Sequence, residues 1–99
     1  LNAKLLKINF LRMKLNTLKK VFDDQKIKNR VIAKYLGKSE STISLWRNNK
    51  RQPNLEEFYQ IAKLLRVNIH SLIEPTNWKE ETSETYEDFA KRYIEKNNN

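Results

Sequence analysis

The stretch that decides the fold is NRVIAKYLGKSESTISLWRNNK, residues 29–50. Within it the only glycine of the chain, Gly37, separates two short segments in which apolar residues follow helical spacing. Glycine often ends a helix because it adopts the left-handed backbone conformation without steric cost. The pattern therefore predicts two short helices joined by a turn of about four residues, 37–40, which is the arrangement of a helix-turn-helix motif.

Each half of this stretch has the start signal of its own helix. Asn29 is the predicted N-cap of the first half, and Ser39 is the predicted N-cap of the second half, which we place over residues 40–48. The predicted apolar side of the first half consists of Val31, Ile32, Tyr35 and Leu36, with Ala33 at a close-packing point. The predicted inward residues of the second half are Ile43 and Trp46, with Leu45 at the margin.

Helical signals also lie on both sides of this pair. A first helix is predicted over residues 14–24, from the apolar spacing of Met13, Leu15, Leu18, Val21 and Phe22. A fourth helix is predicted to begin after Asn54, because Glu57 lies three residues beyond that cap. It runs to residue 65, and its inward residues are Phe58, Ile61, Ala62, Leu64 and Leu65.

A short fifth helix completes the predicted array. Asn68 or its neighbour caps residues 69–73, and Pro75 marks the end. One glycine and two prolines in 99 residues argue against a turn-rich β-sandwich. We therefore predict an all-α fold, with a compact five-helix domain over residues 13–75.

The composition excludes several kinds of chemistry. Without cysteine the chain has no disulfide framework, no thiol nucleophile and no zinc finger, which is compatible with a cytoplasmic location. The one histidine, His70, is expected on the surface, so no histidine-based metal site or catalytic dyad is predicted. A chain of 99 residues supports a modest core and no large catalytic cleft. We expect no enzymatic activity, no cofactor, no metal and no membrane-spanning segment.

Positive charge is concentrated on the same helix pair. The chain carries 20 lysines and arginines against 12 aspartates and glutamates, a formal net charge of +8. Residues 26–51 hold eight of the basic residues and one acidic residue, Glu40. A focused basic surface favours polyanionic partners, and nucleic acid is the commonest soluble polyanion.

The second helix of the pair offers small polar groups at its start. In a helix-turn-helix motif this helix enters the major groove, and its N-terminal residues face the base edges. Small polar side chains permit a close approach and supply hydrogen-bond donors and acceptors, and here they are Glu40, Ser41, Thr42 and Ser44. The basic residues that flank them, as residues that grip phosphates would, are Lys28, Arg30, Lys38, Arg47, Lys50 and Arg51.

The order and spacing of these motifs resemble the Xre/Cro-type, lambda-repressor-like helix-turn-helix family of transcriptional regulators. The matching residues of the helix pair and its loop are Ala33, Leu36-Gly37, Ser39 through Leu45, and Pro53. The segment IAKLLRVNIHSLIEP, residues 61–75, is similar to the family's usual Ala-x-x-Leu-x-Val helix end and closing helix. The resemblance covers residues 13–75 and implies a lambda-repressor-like domain that binds double-stranded DNA.

The resemblance also implies roles for individual residues. Glu40, Ser41 and Ser44 match the positions that usually read bases, and Asn29 matches a polar residue that usually clamps a phosphate. Residues 47–51 match the loop that usually touches the sugar-phosphate backbone. Together with the basic flank, the candidates for backbone contact are Lys28, Asn29, Arg30, Lys38, Thr42, Arg47, Asn48, Lys50 and Arg51.

Three positions either allow two roles or depart from the usual pattern of the family. Glu40 could accept a hydrogen bond from a cytosine amino group, or it could stabilise the positive end of its own helix. The family often has an acid near Arg47, whose positive charge here could reach DNA. The family also often has a glycine near Asn49, and asparagine tolerates the left-handed conformation better than most residues, so Asn49 can substitute.

An amphipathic helix is predicted after the domain, over residues 84–96. Its apolar stripe consists of Tyr86, Phe89, Ala90, Tyr93 and Ile94. Such a stripe needs a surface to cover it. This surface could be the helix's own domain, the same helix of a second subunit or another protein, and Trp78 could anchor the linker on the core. The candidates for dimerisation are Tyr86, Phe89, Tyr93 and Ile94.

Charge divides the chain into three segments. Residues 1–12 are basic, residues 13–75 carry a net charge of +7, and residues 76–99 carry a net charge of −2. We interpret residues 13–75 as the DNA-binding domain and residues 76–99 as a linker with the C-terminal helix. Residues 1–12 are either an extension upstream of a natural start at Met13 or an additional strand or helix turn that uses Ile8 and Phe10.

Two classes of function follow from these features. The leading hypothesis is a sequence-specific DNA-binding regulator, a homodimer that reads half-sites about 34 Å apart in a partly palindromic operator. Compact members of the family that it resembles include restriction–modification controllers, phage repressors and toxin–antitoxin regulators. The alternative hypothesis is an antitoxin or protein-interaction module whose C-terminal helix binds a partner protein.

Overall fold

Helices account for the regular structure of the residues that can be described. The structure is a computed structural model that describes residues 13–97. Its α-helices are α1 (Leu18–Gln25), α2 (Asn29–Leu36), α3 (Glu40–Arg47), α4 (Leu55–Leu65) and α5 (Tyr86–Asn97), and a 3-10 helix spans Ile69–Leu72. In the described residues no β-strand occurs, and one antiparallel bridge joins Asn16 to Ile73. The predicted all-α class is confirmed.

The core lies among α1 to α4 and the 3-10 helix. Helix α3 packs against α1 and α2, and α4 packs against α2 and the 3-10 helix. The buried apolar side chains are Leu18, Phe22, Ile32, Ala33, Ile43, Trp46, Phe58, Ile61, Ala62 and Leu72. Each large member stabilises the fold by about 1.5–3 kcal/mol when buried, so the core holds α3 in a fixed position relative to α2. The predicted inward positions of Ile43 and Trp46 are confirmed.

The ends of the central helices follow the sequence signals. Gly37 ends α2 in the left-handed conformation, with φ of 67°. The hydroxyl of Ser39 accepts a hydrogen bond from the backbone N–H of Thr42 at 3.1 Å and so caps α3. Asn54 and Glu57 form a reciprocal capping box at the start of α4, with bonds of 2.8 and 2.7 Å. These three predictions are confirmed.

Helix α1 begins at Leu18, so the prediction of a helix from residue 14 was wrong. The chain before it is held by long-range hydrogen bonds. Asn16 is fully buried, and its Oδ1 accepts a hydrogen bond from the Leu18 backbone N–H at 2.9 Å. The backbone carbonyl of Leu15 accepts a hydrogen bond from the Glu74 N–H at 2.9 Å. Met13 and Leu15, predicted on the apolar side of this helix, are therefore exposed.

Three apolar side chains that were predicted inside lie outside. Val31 and Tyr35 on α2 are 53% and 45% exposed, and Leu64 on α4 is 38% exposed. The hydroxyl of Tyr35 donates a hydrogen bond to the side chain of Gln60 at 3.4 Å. Where α2 packs against α4, the buried side chains include Ile32, Ala33 and Ile61. The apolar stripes predicted from the sequence are wider than the buried surface, so Val31, Tyr35 and Leu64 lie outside it.

Two other predicted helix ends also differ. Lys28 is the N-cap of α2, and Asn29 is the first residue of the helix, because its side chain instead accepts a hydrogen bond from Arg47. The predicted fifth helix is a single 3-10 turn that ends at Leu72, since Ile73 is paired with Asn16 in the antiparallel bridge. The predicted cap of that turn is confirmed, because the Asn68 side chain accepts from the His70 N–H at 2.9 Å; His70 is exposed, as predicted.

The C-terminal helix is present, but it is not covered by its own domain. Helix α5 begins after Thr85 rather than at residue 84, and none of its side chains is buried. Trp78 in the linker is 67% exposed. The structure thus contradicts the hypotheses that this helix folds back on the core and that Trp78 anchors the linker there. The hypotheses for residues 1–12 lie outside the described residues.

Candidate functional site

The outward face of α3 is defined by the two residues that it buries. An α-helix turns by about 100° per residue, so Ser41, Ser44 and Asn48 lie on the side opposite Ile43 and Trp46. Leu45 lies on this outward side too, about 40° from the direction of Ser41, and remains partly accessible. We call Ser41, Ser44, Leu45 and Asn48 the outward face. It carries no charged side chain.

Two predicted site residues of α3 lie beside this face. Glu40 is exposed and points about 100° away from Ser41. Thr42 is half-buried on the other flank of the helix. The structure therefore brings Ser41 and Ser44 together on one surface and places Glu40 at its edge.

Hydroxyl groups cluster at the start of α3. The Ser39 hydroxyl lies 3.0 Å from the Ser41 hydroxyl and 2.9 Å from the Thr42 hydroxyl. A serine hydroxyl can donate one hydrogen bond and accept two, so Ser41 retains hydrogen-bonding capacity on its exposed side. The cluster fixes the side chains of the first helical turn before any ligand approaches.

The far end of the outward face carries an amide. Asn48 donates from Nδ2 to the Ser44 carbonyl at 2.9 Å and to the Ser44 hydroxyl at 3.4 Å. Both contacts use the amide nitrogen, so the exposed amide oxygen can accept a hydrogen bond from a ligand.

The loop after α3 is held by the side chain of Asn49. This residue is left-handed, with φ of 57°, so the prediction that it substitutes for a glycine is confirmed. Its Oδ1 accepts hydrogen bonds from the backbone N–H groups of Leu15 and Asn16, at 2.8 and 2.9 Å, and from Gln52 at 3.1 Å. The buried amide of Asn16 in turn donates to the Trp46 carbonyl at 2.8 Å. This network ties the loop to the segment before α1.

The basic residues around the outward face differ in their partners. Lys28, Arg30, Lys50 and Arg51 are exposed, and within residues 13–97 their side chains have no ion-pair partner. Lys38, in contrast, pairs with Glu57 at 3.1 Å between Nζ and Oε2. The four unpaired cations lie at the start of α2 and in the loop after α3, two segments that meet near the C-terminal end of α3, where Arg47 contacts Asn29.

Arg47 joins three elements by its guanidinium group. It forms an ion pair with Asp23 of α1 and donates a hydrogen bond to Asn29 of α2 at 3.3 Å. Because these partners neutralise and orient it, Arg47 holds the end of α3 against the start of α2. The contact also fixes the side chain of Asn29, which the sequence marked as a helix N-cap and as a candidate phosphate contact.

Three lysines in or just before α1 were not predicted as part of the site. Lys14, Lys19 and Lys20 line an open cleft of about 570 Å³ beside the C-terminal end of α3. The Asp24 carboxylate, 2.7 Å away, raises the pKa of Lys20 and so keeps it protonated. Lys19 has no acidic partner in the described chain and extends the basic surface. Its place on the polar side of the α1 pattern is the signal that could have identified it.

Among residues 13–97 the structure shows neither a metal site nor a membrane-spanning helix. No cluster of histidine, cysteine, aspartate or glutamate there is placed to hold a metal ion. No helix in that range combines the length and the apolar character needed to cross a bilayer.

Comparison with known proteins agrees with this geometry. A family model described as helix-turn-helix matches residues 18–72, which is more than half of the chain. The crystal structure of a "putative DNA-binding protein" from Bacteroides fragilis is similar, with 44% sequence identity and a TM-score of 0.60. The similarity covers 63% of this chain and 100% of that one. None of the curated proteins matches the chain.

Proposed function

Because the chain belongs to the Xre/Cro-like helix-turn-helix family, we propose that it is a sequence-specific regulator of transcription that binds double-stranded DNA. The observation that carries the proposal is the outward face of α3, an uncharged and accessible surface with unpaired cations nearby, at the start of α2 and in the loop after α3. Such a surface can enter a groove lined with phosphates and still contact bases.

In this proposal α3 lies in the major groove. Ser41 and Ser44 read base edges by hydrogen bonds, and Glu40 accepts from a cytosine amino group at the edge of the same surface. Leu45 adds an apolar contact, for which the methyl group of thymine is the matching partner in the major groove. Each mismatched base pair would then cost about 1–3 kcal/mol of binding free energy.

Affinity comes from contacts with the DNA backbone. The proposed contacts are Lys28, Asn29, Arg30, Lys38, Thr42, Arg47, Asn48, Lys50 and Arg51. Lysines and arginines that neutralise phosphates release condensed counterions, so binding should weaken steeply as salt rises. Lys28, Arg30, Lys50 and Arg51 should contribute most, because they break no internal ion pair on binding, whereas Lys38 and Arg47 would have to share theirs.

The proposed regulator works as a homodimer on a partly palindromic operator. One short recognition helix makes few base contacts, and two copies related by a two-fold axis would reach half-sites about 34 Å apart. The proposed dimer contacts are Tyr86, Phe89, Tyr93 and Ile94 of α5, which are all exposed in the single chain. The DNA-binding unit comprises residues 13–75, and residues 76–99 supply the linker and the dimerisation element.

This mechanism consists of binding alone and needs no catalysis and no cofactor. A regulator of this kind acts where the DNA is, and we place it in the cytoplasm. Compact size and the proposed dimer fit a restriction–modification controller or a phage-type repressor.

A second candidate function is favoured by the exposed stripe of α5. An antitoxin or other protein-interaction module would use Tyr86, Phe89, Tyr93 and Ile94 to bind a different protein. In that case deletion of residues 83–99 would abolish partner binding and leave DNA binding intact.

Selection from a pool of random duplexes, followed by sequencing, tests the proposed function. We expect enrichment of a symmetric motif whose half-sites are about one helical turn of DNA apart. A variant with Ser41, Ser44 and Leu45 all changed to alanine is the control, and its pool should lose the motif while retaining salt-dependent binding. If the parent protein enriches no sequence, the regulator proposal fails and the interaction module is favoured.

A further inference from the structure

Helix α5 exposes an apolar stripe that its own domain does not cover. Tyr86 is 84% exposed, and Phe89, Tyr93 and Ile94 are 49%, 58% and 54% exposed. An isolated helix of 12 residues is marginally stable in water, even for strong helix formers. The stripe therefore needs a partner both to leave water and to keep the helix formed.

The charges of α5 and its cap are divided along the helix. Glu84, Glu87 and Asp88 lie at the N-terminal end, whereas Lys91, Arg92 and Lys96 lie in the C-terminal half, together with one acidic residue, Glu95. A second copy in the opposite direction would place acidic ends against basic ends. A second copy in the same direction would place like charges together and align the helix dipoles unfavourably.

We propose that α5 forms an antiparallel two-helix contact with α5 of a second copy of this chain, with the two apolar stripes facing each other. The proposal rests on the homodimer of the proposed function and specifies its interface. The two-fold axis passes near the middle of the helix, between Ala90 and Tyr93, so that Tyr86 of each copy lies opposite Asn97 of the other.

Internal contacts already fix part of this surface. Arg92 is held by two hydrogen bonds to Glu84, of 3.0 and 2.9 Å, and its guanidinium carbon lies 5.2 Å from the centre of the Phe89 ring. These bonds lower the pKa of Glu84, so the pair stays ionised at neutral pH. Phe89 and Tyr93 stack with ring centres 6.2 Å apart. Ordered aromatic side chains lose less conformational entropy when a partner covers them.

The DNA-binding domain of the same chain, residues 13–75, is a poorer partner for α5 than a second α5. Its apolar groove beside Val31 and Leu64 is lined also by Lys26 and Lys28. Those lysines would suit the acidic end of α5 and would repel its basic half. A second α5 satisfies both ends in one contact, and it leaves Lys28 available for DNA.

The expected interface is small. Aromatic side chains bury about 150–250 Å² each when fully covered, so two half-covered stripes bury on the order of 800 Å² in total. Stable interfaces bury about 1,200 Å² or more. We therefore expect dimers in equilibrium with monomers, in a proportion that depends on protein concentration.

Disulfide trapping tests the arrangement directly, because the chain has no cysteine of its own. We would mix a tagged Tyr86→Cys chain with an untagged Asn97→Cys chain and oxidise the mixture. Mass spectrometry would then quantify the mixed and the like-with-like disulfide dimers, which differ in mass by the tag. Within one helix these positions are about 16 Å apart, and a disulfide requires Cα atoms within about 7 Å. The antiparallel contact predicts that the mixed disulfide exceeds either like-with-like product several-fold.

The other outcomes count against the proposal in distinct ways. Like-with-like disulfides in excess would show a parallel pair and overturn the arrangement alone. No disulfide, with dimers still seen by sedimentation, would place the interface elsewhere. Monomers at all concentrations would remove the dimer itself and favour a different protein as the partner of α5. A Lys63→Cys chain, exposed on α4, is the matched control and should stay unlinked. Duplex selection with the parent chain separately decides whether DNA is bound.

Discussion

At the scale of single residues, Asn49 has two roles that a glycine could not combine. It adopts the left-handed conformation at the end of the α3 turn, with φ of 57°. Its side-chain oxygen also accepts hydrogen bonds from the backbone of Leu15 and Asn16. Together with the Glu74 bond to the Leu15 carbonyl and the bridge of Asn16 to Ile73, the second role holds residues 15 and 16 in the non-helical segment before α1.

Substitution of Asn49 by glycine separates these roles. Glycine keeps the backbone angle but removes the acceptor of the Leu15 N–H, which is exposed, and of the Asn16 N–H, which is part-buried, at a cost of about 0.5–1.5 kcal/mol per lost hydrogen bond. Relief of the left-handed strain offsets part of that cost. We expect Asn49→Gly to lower the free energy of unfolding by about 1–2 kcal/mol, measured by urea denaturation.

Arg66 provides the matched control for this substitution. It has nearly the same backbone angle, with φ of 55°, and its side chain bonds only to the nearby Lys63 carbonyl. Arg66→Gly should change stability by no more than about 0.5 kcal/mol, because strain relief and unfolded-state entropy oppose each other. Equal effects of the two substitutions would show that the Asn49 network contributes nothing.

Base contact and phosphate contact should separate at Ser41, Ser44 and Lys50. Ser41→Ala and Ser44→Ala should change the preferred sequence in duplex selection, because they remove groups on the outward face. Lys50→Ala should weaken binding to all duplexes alike and reduce the slope of log affinity against log salt by about one. If all three variants lose affinity equally on every sequence, the assignment of Ser41 and Ser44 to base reading is wrong.

At the scale of elements, the turn between α2 and α3 requires glycine at position 37 because of its backbone angle, and not because a side chain would clash there. A Cβ added there would meet no atom within 4 Å, yet φ is 67°. Gly37→Ala should therefore destabilise the fold by about 1 kcal/mol through strain alone. Under conditions in which the domain remains folded, Gly37→Ala should leave the affinity for the operator unchanged. Thermal unfolding followed by circular dichroism measures the first effect, and a fluorescence titration with duplex measures the second.

Asparagine at the same position tests the cause. Asn tolerates the left-handed region better than alanine, so Gly37→Asn should cost less than Gly37→Ala. A larger loss for the bulkier asparagine would mean that crowding, and not the backbone angle, limits this turn.

The sequence predicts those elements whose signals are local. Ser39, Gly37 and the Asn54–Glu57 pair each act within three residues, and the structure confirms each of these caps. The start of α1 could not be predicted, because the segment before it is held by long-range contacts, among them the hydrogen bond of Asn16 to Asn49, 33 residues away. The exposure of Val31 and Tyr35 was also missed, since apolar spacing indicates which side of a helix is apolar and not how much of it is covered.

In the candidate site, too, the features set by local spacing were predictable and the features set by long-range contacts were not. The outward direction of Ser41 and Ser44 follows from helical spacing once Ile43 and Trp46 are known to be buried. The ion pair of Arg47 with Asp23 joins α1 to α3, and no local pattern contains it. Without that contact the sequence counts Arg47 as one more cation for DNA, whereas the structure shows a side chain that also holds three helices together.

At the scale of the whole molecule, a basic body precedes a slightly acidic tail. Residues 13–75 carry a net charge of +7 and residues 76–99 a net charge of −2. The buried core lies entirely within residues 18–72, so the body does not need α5 to fold. In the proposed dimer, this separation would let the tail join two copies while each body keeps its cationic surface for DNA.

Deletion of residues 83–99 tests this division of labour. Dimerisation and operator affinity should fall together, with operator binding weaker by about 10- to 100-fold because two linked half-site contacts become one. Sedimentation would follow the first quantity, and a fluorescence titration with the selected duplex would follow the second. Unchanged operator affinity in the shortened chain would instead favour the protein-interaction role of α5, and unfolding curves would verify that the body remains folded.

The most direct measurement of the central claim is the change in backbone amide chemical shifts when the selected duplex is added to labelled protein. If α3 enters the groove, the largest chemical-shift changes will fall on residues 39–51 and at the start of α2, and the amides of α4 will change little. Changes concentrated on α4 and α5, with residues 39–51 unaffected, would contradict the account.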